Sequence, residues 1–249
     1  MIDKSLLKAK LDRLRLYYLK NNIDFILHKA QINGITNMEF LEELLLAEIN
    51  NRDKKDFDRR YKAAHISGNH NLENFDYDFG GIAKLQLKQL RELIWVENTY
   101  NLILMGPSGT GKTYIASGLI YEAVKKGYRA HMYTMQELMD IIRFKNISLA
   151  ATSRYNQVIR AHLIAIDDIM LMPINKEEAT AFFNLINTLH EKTSIIITTN
   201  KAPTMWGETL NDEIITTAIL DRILYKCEVV KLTGASYRIE NRKTIFKEI

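Results

Sequence analysis

Gly106-Pro107-Ser108-Gly109-Thr110-Gly111-Lys112-Thr113 follows the apolar run Asn101-Leu102-Ile103-Leu104-Met105 and precedes a helix-like stretch from Ile115 to Val124. The eight residues fit the pattern G-x-x-x-x-G-K-[ST] in the strand, loop, helix context that it requires. Glycines let the backbone wrap closely enough for its N–H groups to face phosphates, and the following helix N-terminus adds partial positive charge. In this reading Gly106 to Thr113 hold ATP, Lys112 bridges the β- and γ-phosphates, and the Thr113 hydroxyl sits on magnesium. A glycine-rich turn with a chance lysine is the plain alternative.

Outward from this loop the chain alternates short apolar runs with amphipathic stretches. Strands are expected at Asn101 to Met105, Arg129 to Thr134, Leu163 to Ile166, Ser194 to Thr199 and Cys227 to Leu232. Helices are expected at Thr113 to Lys126, up to about Arg160, at Lys176 to Lys192 and at Asp212 to Tyr225. That order predicts an α/β fold: a parallel five-stranded sheet with helices on both faces, an αβα sandwich of the P-loop NTPase type. Pro107, Pro173 and Pro203 each fall shortly after a strand, at the strand ends where such sheets bind ligands.

The run Leu163-Ile164-Ala165-Ile166 ends in Asp167 and Asp168. Asp167 is expected to hold the magnesium shell, and Asp168 to orient or deprotonate the water that attacks the γ-phosphate; an Asp-rich turn is the alternative. Asn200, after Ser194 to Thr199, is a candidate for sensing the γ-phosphate or positioning water, against a turn-forming role. Arg222 is a candidate to reach a neighbouring subunit's nucleotide, against a surface pairing with Asp221 or Glu228. Arg238, in Ser236-Tyr237-Arg238, is a second candidate for the γ-phosphate.

Upstream, Leu6, Leu7, Leu11, Leu14 and Tyr18 recur at helical spacing, predicting a helix from Leu6 to about Ile32 that Asn33-Gly34 stops. A second helix is expected from Asn37 through Ile49 into the charged stretch Arg52 to Lys62. Residues 1–66 form a helical domain in this division and residues 67–81 a connector marked by Gly, Asn and Asp; residues 82–249 carry the P-loop domain. Phe75, Tyr77 and Phe79 alternate in the connector, so it is expected to pack on the next domain, edge-strand packing being the alternative.

At 249 residues there is room for one catalytic core and an appendage. Hydrophobic residues at 47% and charged residues at 26% support a buried core and argue against wholesale disorder. No apolar run approaches the roughly 20 residues that span a bilayer, and the charged N-terminus does not resemble a signal peptide. Cys227 is the only cysteine, which excludes an internal disulfide and a cysteine-based zinc site and fits the cytoplasm. Net charge is +4, with basic excess local to Lys4, Lys8, Lys10, Arg13, Arg15 and Lys20, which suits phosphate contact or a solvated helix face.

Taken in order, LEELLLAEINNRDKKDFDRR (41–60), LENFDYDF (72–79), NLILMGPSGTGKT (101–113), HLIAIDD (162–168), ILDRIL (219–224) and LTGASYR (232–238) resemble the IstB-like ATPases over nearly the whole chain. These are transposition helpers of insertion sequences, AAA+ ATPases similar to DnaC-like helicase loaders. The resemblance implies ATP-dependent homo-oligomerisation on duplex DNA and delivery of that DNA to a transposase encoded by the same element. It also implies that Asn200 is the first sensor, Arg222 the arginine finger and Arg238 the second sensor, and it places DNA-facing helices around Arg143, Lys145, Arg154 and Arg160. The chain after Leu232 leaves room only for a reduced or absent AAA+ lid. Two further readings stay open: a DnaC-like helicase loader, and a non-hydrolysing nucleotide-gated DNA-binding adaptor, the latter because Asp168 stands where related ATPases carry glutamate. No helix-turn-helix stands out, so sequence-specific DNA reading is not expected.

Overall fold

A computed structural model describes residues 4–66, 70–169, 175–207 and 212–242, apart from the side chain of Asp78. The chain forms two compact units, Met1–Arg59 and Arg60–Ile249. Among the described residues no helix is long and apolar enough to cross a membrane.

The first unit is helical: α1 (Lys4–Arg13), α2 (Tyr17–Asn33) and most of α3 (Asn37–Ala63). A single helix from Leu6 to Ile32 is therefore corrected to two. The break is a Schellman turn, with Arg15 at φ 57°, its N–H donating to Asp12 O and the Leu16 N–H donating to Leu11 O. No glycine or proline signals it. The N-cap position of α2 is Leu16, which offers no side-chain cap. Glu48 on α3 supplies the acceptor instead, its buried carboxylate receiving the Leu19 N–H at 3.2 Å while Arg52 donates to it at 3.0 Å. An acid at a helix start also suits the helix dipole. Gly34 closes α2 in the left-handed conformation. Much of the basic excess is paired locally: Lys4 and Lys8 reach Asp24, and Lys20 reaches Asp12.

In the second unit the end of α3 runs beside the sheet, where Ala63 O contacts His131 Nδ1 and Ala64 O accepts the Met132 N–H. A short 3-10 turn (Leu72–Asn74), α4 (Tyr77–Gly80), α5 (Lys84–Arg91) and α6 (Ile94–Glu97) follow. The core then alternates β1 (Asn101–Met105), α7 (Lys112–Lys125), β2 (Ala130–Thr134), α8 (Met135–Phe144), α9 (Leu149–Ile159), β3 (Leu163–Asp167), α10 (Lys176–Leu189) and β4 (Ser194–Thr199). It ends with α11 (Glu213–Leu224), β5 (Cys227–Lys231) and α12 (Tyr237–Glu240). All pairings are parallel and the strand order is β2-β3-β4-β1-β5. The five expected strands are present within a residue or so at each end; β1, β3 and β4 are buried apolar runs, whereas the edge strand β5 is largely exposed.

Alternation of side chains divides the core into two layers. Ile103, Ile164, Ile166, Ile195 and Ile197 pack with Leu138, Ile142, Phe182, Ile186 and Ile219 from α8, α10 and α11. Leu102, Leu104, Leu163 and Ile196 take the opposite face, with the buried Ile115, Leu119 and Ile120 of α7. Asn101 is buried but satisfied, donating to Ile223 O and accepting the Ile195 N–H, so it ties β1 to β4 and α11. The strand order places β1 beside β4 and β4 beside β3, so the loops after β1 and β3 open at one edge.

Candidate functional site

The phosphate loop begins where β1 ends. Gly109 and Gly111 have φ of 86° and 94°, left-handed values that the loop needs for its curl. Both are also crowded: a Cβ on Gly109 would lie 2.1 Å from Ser236 Oγ, and one on Gly111 would lie 2.8 Å from the ring of Phe75. The loop is thus braced by the segment before α12 on one side and the connector on the other. The Tyr237 N–H donates to Gly109 O at 3.1 Å.

Lys112 is buried, and its Nζ donates to Gly106 O and Pro107 O, each at 2.8 Å. Burial pulls its pKa below the ordinary lysine value, with Asp168 and Asp167 opposing that and Arg238 adding to it. An ammonium held by two carbonyls in a half-dry site is poised to exchange them for phosphate oxygens.

The Thr113 hydroxyl donates to Asp167 Oδ1 at 2.9 Å. Two hard oxygen donors converging at a phosphate loop fit magnesium, which takes few protein ligands and completes its shell with water and phosphate. Asp167 is buried. A second hydroxyl reaches the same oxygen: Thr198 of β4 donates to Asp167 Oδ1 at 2.6 Å and accepts the Asp168 N–H at 2.8 Å.

Asp168 adopts φ 54°, a left-handed value that aspartate tolerates better than most residues. Its carboxyl is held above the ordinary value by burial and by the neighbouring Asp167, while Lys112 and Arg238 pull it back. Asp168 and Arg238 line one cavity of about 570 Å³ together with the loop from Ser108 to Tyr114. The connector supplies another wall through Asn74, Phe75, Asp76, Phe79 and Gly80, and Tyr237 completes it.

The connector therefore packs on the P-loop unit as expected, but as a turn and short helix, not as an edge strand. Leu72 fills the space over Gly118 of α7, and the Tyr114 hydroxyl donates to Asn71 O. Phe75 is buried, with its ring 5.9 Å from that of Tyr114. Phe75, Asp76 and Tyr237 are site residues that motif reading does not assign. The alternating aromatics of the connector were the available signal, yet periodicity alone does not say what they pack upon. Thr198 belongs to no motif either; its signal is that a threonine inside the buried run Ser194 to Thr199 must find hydrogen-bond partners.

Other expected site residues stand apart from the cavity. Asn200 is exposed just beyond β4, where Thr199 Oγ1 accepts the Lys201 N–H. Arg222 faces α10, donating to Asn187 Oδ1 at 2.9 Å and to Ala218 O at 2.8 Å and stacking 4.8 Å from the Phe183 ring centre. The plain alternative, a surface pairing with Asp221 or Glu228, gives way to these contacts. Arg143 pairs with Glu178 and Asp140, Lys145 lies over Tyr155, and Arg154 and Arg160 are exposed. Pro173 lies outside the described residues.

A family model for the IstB-like ATP binding protein matches residues 9–245. An insertion sequence IS21-like putative ATP-binding protein of Bacteroides fragilis is 48% identical over 94% of this chain and 89% of its own length. The IS21 putative ATP-binding protein of Pseudomonas aeruginosa is 34% identical over 95% of this chain and 90% of its own. In fold, the crystal structure of the DnaC helicase loader matches 70% of this chain and 98% of its own, with a TM-score of 0.53 at 16% identity.

Proposed function

The chain belongs to the IstB-like ATP binding protein family, and on that premise we propose that it is an ATP-hydrolysing transposition helper. In this reading it assembles with ATP on duplex DNA, remodels that DNA, and delivers it to the transposase of its element, hydrolysis driving release. The observation that carries the reading is the convergence of Lys112, the Thr113–Asp167 pair, Asp168 and Arg238 on one phosphate loop. It is joined by kinship to ATP-binding proteins of IS21-type insertion sequences.

Lys112 would turn from the carbonyls of Gly106 and Pro107 to the β- and γ-phosphates. Thr113 and Asp167 would hold magnesium, which supplies charge neutralisation across the two phosphates when bound. Asp168 would accept a proton from the attacking water, and its raised pKa brings it closer to a working base. Arg238 lines the cavity beside Lys112 and would contact the γ-phosphate. Arg222 would act on a neighbouring subunit's nucleotide, and Asn200 would sense the γ-phosphate held by its own subunit's loop or position water.

Residues 1–66 would form a DNA- or partner-binding domain, 67–81 the connector and 82–249 the ATPase. Between Ile141 and Ile166 the chain has no acidic residue but carries Arg143, Lys145, Arg154 and Arg160, and its α8–α9 turn exposes Ile147 and Leu149. That composition suits a phosphate-bearing partner.

The deciding measurement is molecular size with and without ATP in the presence of duplex DNA, run beside a phosphate-release assay. A large species that requires both ligands, and releases phosphate, is expected. Assembly without phosphate release would instead favour the nucleotide-gated adaptor, and no assembly at all would overturn the helper reading.

A further inference from the structure

Thr198 stands at the crossing of two functions. It lies fully buried in β4, between the strand that ends in the metal-holding carboxylate and the strand that leads into the phosphate loop. Its hydroxyl has one proton and donates it to Asp167 Oδ1 at 2.6 Å. Its lone pair takes the N–H of Asp168 at 2.8 Å. The Thr113 hydroxyl donates to the same Asp167 oxygen at 2.9 Å. Thr113, Asp167, Thr198 and the Asp168 backbone therefore make one unbroken hydrogen-bonded chain from the loop that grips phosphate to the residue proposed as base.

The far end of that chain needs holding. Asp168 has φ 54°, a left-handed conformation that aspartate tolerates but that its surroundings must still select. Two bonds fix it here, both from the same residue of β4: Thr198 Oγ1 holds the Asp168 N–H, and Thr198 O holds the Ile169 N–H at 3.1 Å. The left-handed turn aims the Asp168 carboxyl into the cavity and away from the buried layer.

We propose that Thr198 is a positioning residue that couples magnesium occupancy at Thr113 and Asp167 to the placement of Asp168. A shift of the Asp167 carboxylate toward the metal moves the hydroxyl that anchors the base. The coupling rests on the hydrolysis reading above for its consequence in turnover, but not for its consequence in metal binding.

Two variants of the full chain test it. Thr198→Val keeps the shape and removes the hydroxyl; Thr198→Ser keeps the hydroxyl. Thr198→Val is expected to weaken the magnesium dependence of ATP binding, followed by titration calorimetry, and to lower kcat by about 10- to 100-fold. ATP affinity without magnesium should stay within about threefold, and Thr198→Ser should recover most of both losses. In an Asp168→Asn background, Thr198→Val should cost little further turnover, since both changes disable the same unit. Wild-type magnesium dependence and turnover in Thr198→Val would overturn the proposal. So would equal losses in Thr198→Val and Thr198→Ser, or full additivity with Asp168→Asn, because both indicate packing alone. Absence of phosphate release from the wild-type chain with DNA defeats the hydrolysis reading instead, and the calorimetric comparison still decides the role of Thr198.

Discussion

Lys112→Ala separates what the lysine does for nucleotide from what it does for the fold. Without nucleotide, the ammonium makes two 2.8 Å bonds to Gly106 O and Pro107 O, but burial already disfavours its charged form. Removing it relieves that burial, and the Pro107 carbonyl still accepts the Thr110 hydroxyl at 2.9 Å. The two effects oppose each other, so the nucleotide-free variant should unfold within about 1 kcal/mol of wild type, the ordinary range for one modest hydrogen-bond change. With nucleotide the balance differs, because two charge-assisted bonds to phosphate are worth roughly 3 kcal/mol or more together. Such a loss raises Kd more than about 100-fold.

Thermal unfolding with magnesium and ATP reads both quantities at once. At a ligand concentration near 100 times its Kd, wild type should gain about 2.7 kcal/mol. For a chain of this length that is roughly 5–11 °C in Tm. At the same concentration Lys112→Ala should gain under about 0.5 kcal/mol. Retention of nucleotide affinity within about threefold would refute the phosphate-loop assignment. Loss of several kcal/mol in the nucleotide-free protein would show instead that Lys112 is chiefly structural.

For Asp168→Asn, ATP binding should persist while phosphate release slows at least tenfold, and unchanged turnover would remove Asp168 from the base role. The same variant carries a pH signature. Because the folded protein raises the Asp168 pKa above 3.8, ionising the group costs stability at neutral pH, so the nucleotide-free Asn variant should melt higher there and lose that advantage as pH falls toward 3.8. Arg222→Ala should bind ATP yet hydrolyse and assemble poorly; mixed with Lys112→Ala it should regain activity wherever mixed oligomers form, and mixed oligomers without recovered activity would confine Arg222 to its own subunit. On duplex DNA, Arg154→Ala should reduce the log–log salt slope by about one, since Arg154 is exposed, and more than Arg143→Ala, whose guanidinium is engaged by Glu178 and Asp140. Equal, unchanged slopes would return both to a solvated surface.

The sequence alone determined what depends on neighbours along the chain. Five short apolar-rich runs with intervening amphipathic stretches specify five parallel strands; β1, β3 and β4, covered on both faces, are apolar over most of their length, while the edge strand β5, with Glu228 and Lys231, is largely exposed. The spacing of Gly106, Gly111, Lys112 and Thr113 is likewise a local requirement, legible without the fold, as is Asp167 at the end of its strand. Gly34 announced the end of α2 because it is the residue that most readily takes the left-handed cap. Arg15, which ends α1 in the same conformation, announced nothing, because its neighbours impose a shape its side chain does not favour.

Tertiary structure decided whatever joins residues distant in the chain. Glu48 caps α2 from another helix, which no local pattern at Leu16 could reveal. Phe75 was visible as a connector aromatic, but that it presses on Gly111 follows only from how the connector folds over the loop. Arg238 lines the cavity because the segment before α12 is threaded against Gly109. Thr198 read as one more β-branched residue in a buried strand. Its importance comes from strand order: β4 lies beside β3, so a hydroxyl thirty-one positions beyond Asp167 stands 2.6 Å from its carboxylate. Periodicity specifies which face a side chain takes, and only the packed sheet specifies whose neighbour it becomes.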